Sequence, residues 1–242
     1  MSRLNNTPKD DDRAMEDQRR LIRRAGLKTP PVIFDIGANI GQRAKQYRST
    51  FPSALIHCFE PTPETFEELE KRTKNDSNLV CHSEFLSSGA GAEYLHINTY
   101  SGTNSKYPRA QGRRYFPSRS TVVNKIKVNA VSLDSIVCTE KLQSPNIIKI
   151  DVQGAELDVL RGSVEVLSRG GYLLILMEVM FVPHYEKAPL FYETYKYLSD
   201  LDYTLYDLYS LHRARNGQLR QGDALFISPS VRKIVDTFPP EP

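Results

Sequence analysis

The sequence predicts an α/β fold with a mostly parallel, seven-stranded sheet whose last strand runs antiparallel. Short apolar segments alternate with helix-like segments over most of the 242 residues, which is the pattern of strands joined by helical crossovers. The first apolar run, 32–36, is almost continuously apolar, as in a strand that is covered on both faces. The connection between the last two apolar runs, 209–223, is polar and too short for a crossover helix, so these strands should pair antiparallel.

Each element has its own signals in the sequence. Thr62 is the predicted N-cap of the second helix, with Pro63 at its first position, and Gly170 and Gly171 close the third, amphipathic helix. Helices are predicted after Gly41, after Thr62, over 155–169 and over about 190–201. Strands are predicted at 32–36, 55–60, 79–81, 146–151, 172–179, 203–208 and 224–227.

An insertion interrupts this alternation at about 86–130. Its two runs 93–98 and 125–131 alternate apolar and polar residues, which is typical of exposed strands or a hairpin. The residues between them, 102–120, are rich in Gly, Ser, Arg and Pro and predict a mobile loop.

The first 28 residues are polar and highly charged. We expect a helix over about 13–25 with a thin apolar stripe, in an extension that docks loosely or pairs with another subunit of a homo-oligomer. Residues 29–242 then form the main domain. The extension is not expected to belong to the chemical core.

Composition sets broad limits on the class of protein. A hydrophobic fraction of 40% supports a sizeable core, and a net charge of +3 is too small to indicate nucleic-acid binding by itself. No apolar run approaches a membrane span, and the N-terminus lacks the apolar region of a signal peptide. Cys58, Cys81 and Cys138 are an odd set without metal-site spacing, so we expect reduced, buried thiols in a cytoplasmic protein.

The first strand leads into a glycine-rich turn with the spacing Asp35-x-Gly37-x-Asn39-x-Gly41. Glycines let a ligand approach the backbone, and the following helix offers unsatisfied N–H groups. The spacing differs from the GxGxxG fingerprint of pyrophosphate sites. The turn instead suits the amino-acid end of S-adenosylmethionine, with an acid for the ammonium group and amides for the carboxylate. Glu60, at the end of the second strand, is placed to accept hydrogen bonds from both ribose hydroxyls.

A second signature extends from Lys149 to Gly162 and reads K-I-D-V-Q-G-A-E-L-D-V-L-R-G. It resembles the pattern K-I-D-V-E-G-A-E-x-x-V-L-x-G of the FkbM family of methyltransferases. The F-D-I-G-A-N-I-G and F-E-P segments, the V-S-L-D stretch at 131–134 and the E-V-x-F-x-P-x-Y run at 178–185 resemble the same family. The resemblance covers about residues 31–228.

The resemblance implies a Rossmann-like class I methyltransferase fold, S-adenosylmethionine as the cofactor, and methyl transfer to a hydroxyl of a sugar or a natural-product small molecule. Two departures are visible. Gln153 stands where the family has glutamate, which removes one carboxylate from the mouth of the site. Ser88 belongs to an F-L-S-S segment that replaces the usual A-L-S-D on the adenine side. Glu84, just before that segment, is a further predicted cofactor-binding residue.

Three residues are predicted to act on the acceptor. An aliphatic hydroxyl needs a general base or a Lewis-acid metal to react readily at neutral pH. Asp151 and Glu178 end neighbouring predicted strands, where they could touch the substrate, hold sugar hydroxyls or bind Mg²⁺. His184, in the loop after Glu178, is a candidate general base or a solvated loop histidine. Glu156 could fold back to the site or make structural hydrogen bonds, and Lys149 is expected in a structural ion pair.

A basic tract over 98–127 leaves three interpretations open. It contains no acid and interleaves basic residues with aromatic ones. It could be a solvated loop, a flexible lid over the site, or a groove for nucleic acid. The last would favour an RNA or protein methyltransferase, and a non-catalytic cofactor-binding module is a further alternative. The basic residues are Lys106, Arg109, Arg113, Arg114, Arg119, Lys125 and Lys127.

Overall fold

The computed structural model describes residues 10–110, 121–168 and 173–237. Ten strands lie in two sheets, one of seven strands and one of three. The strands are β1 Val32–Ile36, β2 Leu55–Phe59, β3 Leu79–His82, β4 Phe85–Leu86, β5 Gly91–Asn98, β6 Val122–Val131, β7 Ile147–Ile150, β8 Leu174–Met180, β9 Thr204–Arg213 and β10 Leu219–Ile227. The helices are α1 Asp10–Arg24, α2 Gln42–Thr50, α3 Pro63–Thr73, α4 Leu133–Thr139, α5 Glu156–Arg161, α6 Val164–Ser168, α7 Phe191–Ser199 and α8 Pro229–Val235.

The large sheet has the strand order β3-β2-β1-β7-β8-β10-β9. β3, β2, β1, β7 and β8 pair in parallel, whereas β10 pairs antiparallel with both β8 and β9. The prediction of a mostly parallel seven-stranded sheet with a reversed last strand is therefore confirmed. The carboxyl ends of β1, β2, β7 and β8 meet at one edge of the sheet, where an open α/β fold places its ligands.

Two apolar clusters cover the two faces of this sheet. Successive residues of β1 alternate between them: Phe34 packs with α4 to α7, and Ile33 packs with α1, α2 and α8. Both side chains are fully buried, as expected for a strand that is covered on both faces.

Helix α1 is part of one of these faces, and the expectation of a loosely docked extension is wrong. Ala14 and Leu21 are each only 1% exposed. The hydroxyl of Tyr209 donates to Asp17 over 2.8 Å, and that of Tyr47 donates to Gln18 over 3.1 Å. These paired polar groups make the apolar stripe of the helix look thin in the sequence although the face is buried.

The small sheet confirms the predicted hairpin. β5 and β6 pair antiparallel, and β4 pairs in parallel with the end of β6. Residues 99–110 follow β5 and include a short 3₁₀ helix at Ser101–Thr103. This part of the predicted mobile loop packs over the edge of the large sheet, as described below.

Four details differ from the sequence-based expectations. The helix predicted over 155–169 is two short helices that break at Gly162, where a side chain would meet the carbonyl oxygen of Ser87 at 2.1 Å. The polar connection 209–223 is mostly strand, because β9 and β10 form a long hairpin. Helices α4 and α8 and strand β4 were not predicted. Cys58 is buried as expected, but Cys81 is half-buried and Cys138 is exposed. The predicted closure at Gly170 and Gly171 lies outside the described residues.

Within the described ranges, none of the helices combines the length and the apolar character that a bilayer-crossing segment needs.

Candidate active site

The glycine-rich turn is fixed by backbone contacts on two sides. The amides of Gly37 and Ala38 both donate to the carbonyl oxygen of Phe59 over 3.0 Å. Gly37 has a positive φ of 77°, and a Cβ there would lie 1.9 Å from the carbonyl oxygen of Asp151. Gly41, with φ 87°, is the N-cap of α2. β2 and β7 therefore hold the turn tightly, and only glycine fits at position 37.

Glu60 follows β2 and is held by main-chain donors. Its two carboxylate oxygens accept from the amide of Asn39 over 3.1 Å and from the amide of Thr62 over 2.9 Å. Burial raises the pKa of Glu60, and these hydrogen bonds act in the opposite direction. The carboxyl group is thus oriented by the backbone, in the wall of the cleft described next.

An open cleft runs along this edge of the sheet. Glu60 and Glu84 lie beside apolar surface from Phe59 and Leu95, and Asp151 lies at the other end. Among the described residues, the Oε2 atom of Glu84 is buried without a hydrogen-bond partner. The cleft is lined by Ile36, Gly37, Asn39, Phe59, Glu60, Pro61, Thr62, Glu84, Phe85, Leu86, Leu95, Ser101, Gly102, Asn104, Asp151, Val152, Gln153 and Ala155.

Asp35 lies beneath the turn and is not among these lining residues. Its side chain is 0% exposed, and its Oδ1 atom is 3.3 Å from the ammonium group of Lys149. Lys149 also donates to the carbonyl oxygen of Gly37 over 3.3 Å and lies 3.5 Å from Asp151. Burial lowers the pKa of Lys149, but Asp151 and Asp35 together raise it above its ordinary value. Lys149 thus makes the ion pair expected from the sequence, and this ion pair links the turn to β7.

Asp151, directly after β7, and Glu178, two residues before the end of β8, lie together as their positions in the sequence indicated, but only Asp151 is among the residues that line the cleft. The side-chain amide of Gln153 donates to Oδ1 of Asp151 and to Oε2 of Glu178, each over 2.8 Å. Gln221, on β10, donates to the other oxygen of Glu178 over 2.9 Å. Sequence reasoning missed Gln221 and recognised in Gln153 only the loss of a carboxylate.

Glu156 makes structural hydrogen bonds beside this pair. Its carboxylate accepts from the amides of Val152 and Gly154 over 3.0–3.1 Å. Burial raises the pKa of Glu156 to about 7. Burial and the neighbouring carboxylates Asp151, Glu156 and Asp223 raise the pKa of Glu178 well above its ordinary range. This end of the cleft therefore concentrates acids that resist ionisation.

His184 lies apart from the residues that line the cleft. It is only 1% exposed, and burial together with Arg220 and Arg109 lowers its pKa to about 4. The imidazole is therefore neutral at physiological pH. Its role as a general base stays a prediction, and its burial also excludes the solvated-loop alternative.

The segment after β5 forms part of the cleft wall through Ser101, Gly102 and Asn104, and the flexible-lid interpretation of the basic tract stays a prediction. The hydroxyl of Ser105 donates to the backbone carbonyl of Gln153 over 2.6 Å, and Asn104 donates to Thr62 over 3.3 Å. Lys106 is paired with Glu93 at 2.7 Å and Asp158 at 2.9 Å. Arg113, Arg114 and Arg119 lie outside the described residues.

A second, polar cavity adjoins the cleft. It shares Gly37, Asn39, Gly102 and Asp151 with it, and Arg43 lies in its wall. Its other lining residues are Asp11, Ala38, Gln42, Gln46, Tyr100 and Lys149. Asp11 belongs to α1, so the N-terminal extension contributes one side chain to the wall of this cavity.

One protein-family model matches the part of the chain that contains these residues. The model of the methyltransferase FkbM domain matches residues 35–205, which include the turn, Glu60, Asp151 and Glu178. A solved structure of an rRNA methylase from Streptococcus thermophilus superposes with a TM-score of 0.51 at 10% identity and covers 91% of this chain and 97% of the methylase. That likeness concerns the fold alone, and the predicted Rossmann-like class I methyltransferase fold is confirmed.

Two curated relatives are similar in sequence. The hexuronic acid methyltransferase AglP of Haloferax volcanii is 25% identical over 145 residues, which are 60% of this chain and 54% of AglP. The 2-O-methyltransferase NoeI of Sinorhizobium fredii is 27% identical over 152 residues, which are 60% of this chain and 63% of NoeI. The similarity therefore spans less than two thirds of either relative.

Proposed function

Because the chain belongs to the FkbM family of methyltransferases, we propose that it transfers a methyl group from S-adenosylmethionine to a hydroxyl of a sugar or natural-product small molecule. One observation carries the proposal. A single cleft runs from two acidic side chains beside apolar surface, Glu60 and Glu84, to the carboxylate of Asp151.

The residues of the cleft fit this cofactor. Glu60 is held by backbone amides in an orientation that suits the ribose hydroxyls, and the buried oxygen of Glu84 can accept a hydrogen bond from the adenine amino group. Gly37 and Asn39 line the cleft where the amino-acid end of the cofactor would lie, whereas the predicted binding residue Gly41 is outside the cleft lining, with Leu69 of α3 beside it. The bound cofactor supplies an electrophilic methyl group. Asp35 then acts through Lys149 and the turn, because its own carboxylate is fully buried.

Asp151 and Glu178 are the proposed activating groups for the acceptor hydroxyl. Asp151 lines the cleft, where it can orient the hydroxyl and take its proton, and Glu178 is joined to Asp151 through the amide of Gln153. A raised pKa makes Glu178 a stronger base than an ordinary carboxylate once it is ionised. His184 is the remaining candidate base, and its replacement by Asn tests that role.

The polar second cavity supports a hydroxyl-rich acceptor. Its wall combines Arg43 and Lys149 with carboxylates that they pair with, including Asp151, so it offers both hydrogen-bond donors and acceptors to hydroxyl groups. The names of AglP and NoeI describe a hexuronic acid methyltransferase and a 2-O-methyltransferase, and by similarity we extend a glycan or small-molecule acceptor to this chain. A cytoplasmic location is part of the same proposal.

A bound Mg²⁺ is the alternative way to activate the hydroxyl. Carboxylate oxygens of Asp151, Glu156 and Glu178 lie within 4.8 Å of one another. The groups are acids of the kind that Mg²⁺ prefers, but Glu156 already accepts backbone hydrogen bonds. Turnover with and without EDTA separates the two alternatives.

The RNA or protein alternative has less support in the described part of the basic tract. Lys106 is neutralised by Glu93 and Asp158. Lys125 stacks over the ring of Tyr94 at 4.3 Å, and Arg109 lies over the ring of Tyr185 at 5.5 Å. These contacts use the basic groups within the protein.

The test combines cofactor binding with turnover. Calorimetry should detect S-adenosylmethionine binding, and turnover should appear in a panel of uronic acids, neutral sugars and hydroxylated polyketides. Asp151→Asn should lower kcat by roughly 100-fold or more while cofactor affinity changes little. The control Asp202→Asn removes an exposed acid from a turn and should behave as the wild type. Absence of cofactor binding in the wild type would sink the proposal, and a wild-type kcat in Asp151→Asn would sink the role of Asp151.

A further inference from the structure

Gln153 is hydrogen-bonded to residues on several sides of the site. Its amide nitrogen donates to Asp151 and Glu178, and its amide oxygen accepts from the hydroxyl of Tyr185 over 2.8 Å. Its backbone oxygen accepts from Ser105. The residue has a positive φ of 56°, which is an uncommon conformation for a side chain of this size.

The two carboxylates that Gln153 joins would otherwise repel each other. Acids brought together in a buried site need a proton, a cation or hydrogen-bond donors between them. A primary amide provides two N–H donors and a carbonyl acceptor at once. The amide nitrogen of Gln153 donates to the two carboxylates and its amide oxygen accepts from Tyr185, so each end of the amide faces a suitable partner.

The remaining oxygens of the two carboxylates also have donors from the chain. Oδ2 of Asp151 is 3.5 Å from the ammonium group of Lys149, and Oε1 of Glu178 accepts from Gln221. Each of the four oxygens therefore faces a nitrogen of this protein. A glutamate at position 153 would take away the shared donor and add a third carboxylate between the first two.

We propose that Gln153 is a positioning residue whose amide stands in place of a divalent cation between Asp151 and Glu178, so that the chain orients its acceptor hydroxyl without a metal ion. The part of this inference that concerns the acceptor rests on the proposed function. The part that concerns the cation depends only on the donors and acceptors described above, and it can be tested without substrate.

Replacing the amide by a carboxylate should create a cation site. We expect Gln153→Glu to bind one Mn²⁺ per chain at least about tenfold more tightly than the wild type, measured by the loss of the free Mn²⁺ signal in electron paramagnetic resonance. The control Gln218→Glu makes the same chemical change at an exposed position of the β9–β10 hairpin and should bind as weakly as the wild type.

Turnover provides the second measurement. EDTA should leave the wild-type rate unchanged, whereas Gln153→Glu should be inactive with EDTA and recover activity with Mn²⁺. If Gln153→Glu is poorly folded alone, added Mn²⁺ should raise its Tm and leave that of Gln218→Glu unchanged.

Opposite results overturn the inference. These are tight Mn²⁺ binding by the wild type, loss of wild-type turnover with EDTA, or a Gln153→Glu variant whose Mn²⁺ affinity and Tm do not differ from those of the controls. Failure of the proposed function would appear separately, as a wild type that binds no S-adenosylmethionine, and it would leave the Mn²⁺ measurement valid.

Discussion

The two ends of the cleft are built in different ways. At the cofactor end, around the turn and Glu60, the main chain provides the contacts: amides donate to the carbonyl of Phe59 and to the Glu60 carboxylate. At the acceptor end, around Asp151 and Glu178, side chains contact side chains, through Gln153 and Gln221. The contacts at the cofactor end depend on the conformation of the backbone, whereas those at the acceptor end depend on which side chain is present at each position.

The difference also appears in the electrostatics. The acceptor end gathers four acids from β7, α5, β8 and β10, and the pKa values of three of them are raised chiefly by burial. At the cofactor end, hydrogen bonds from backbone amides offset part of the rise that burial causes in the pKa of Glu60. We therefore expect substitutions that disturb the backbone conformation to be most damaging at the cofactor end. Changes in pH should act mainly through the acids of the acceptor end.

The largest expected effect is that of Gly37→Ala, where the two ends meet. The new Cβ would lie 1.9 Å from the backbone oxygen of Asp151, so β1 or β7 would have to move. We expect a loss of about 3 kcal/mol or more in the free energy of unfolding, measured by urea denaturation, together with loss of cofactor binding.

Gly26→Ala is the matched control for this prediction. Gly26 has a similar φ of 69°, but a Cβ there would have nothing within 4 Å. It should cost only about 1 kcal/mol, from the left-handed backbone. Equal losses in the two variants would show that strain at φ, and not the approach of the two strands, requires glycine in the turn.

The second effect concerns the orientation of Glu60. In Glu60→Gln one of the two oxygens becomes an N–H donor that faces a backbone amide, so the side chain can no longer accept both hydrogen bonds. We expect about a 10- to 100-fold loss of S-adenosylmethionine affinity by calorimetry. Glu64→Gln, on the exposed side of α3, should change affinity by less than about twofold. An unchanged affinity in Glu60→Gln would place the nucleoside elsewhere.

The same contrast explains what the sequence could predict. At the cofactor end, a glycine at position 37 and an acid at position 60 are local signals that follow predicted strands, so the turn and the fold could be predicted. Asp151 and Glu178 were predicted for the same reason, since each was placed at the end of a predicted strand, although β8 continues to Met180. Helix α1 was underestimated because Asp17 and Gln18 look solvent-facing until their partners Tyr209 and Tyr47 are known.

The rest of the acceptor end depends on pairings that are distant in the sequence. Gln221 reaches Glu178 only because the β9–β10 hairpin places β10 beside β8, with Asp223 opposite Glu178. Gln153 has a local signal, its departure from the family pattern, but its two partners are known only from the assembled site. His184 was predicted because it follows the strand that carries Glu178. In the structure it is buried and is not among the residues that line the cleft.

The third effect is a pH dependence of stability that originates at the acceptor end. Burial raises the pKa of Glu156 from 4.5 to about 7, so the folded protein holds this proton more tightly than the unfolded chain. Its contribution is fully present below pH 4.5 and is lost as the pH rises through about 7. The loss of this contribution between pH 6 and 8 should lower the free energy of unfolding by about 1 kcal/mol.

Glu156→Gln tests this origin. It should flatten the dependence of urea-denaturation free energy on pH between about 6 and 8, whereas Glu67→Gln, on the exposed side of α3, should leave the slope as in the wild type. A slope that persists in Glu156→Gln would mean that other groups, such as Asp223 with its pKa of about 6, carry it.

The smallest expected effect is that of a substitution in the insertion, at a residue that does not line the cleft. Lys125 is exposed on β6 and lies over Tyr94 at 4.3 Å. Lys125→Gln should cost about 0.5 kcal/mol of the free energy of unfolding and leave cofactor affinity and kcat within about twofold. Lys106→Gln should cost more, about 1–3 kcal/mol, because it removes the ammonium group shared by Glu93 and Asp158 in a half-buried site, although hydrogen bonds from Ser87 and Tyr107 remain. If Lys125→Gln instead reduces turnover, or abolishes a salt-dependent binding of single-stranded RNA, the basic tract recognises a polyanionic acceptor and the comparison must include a third functional region.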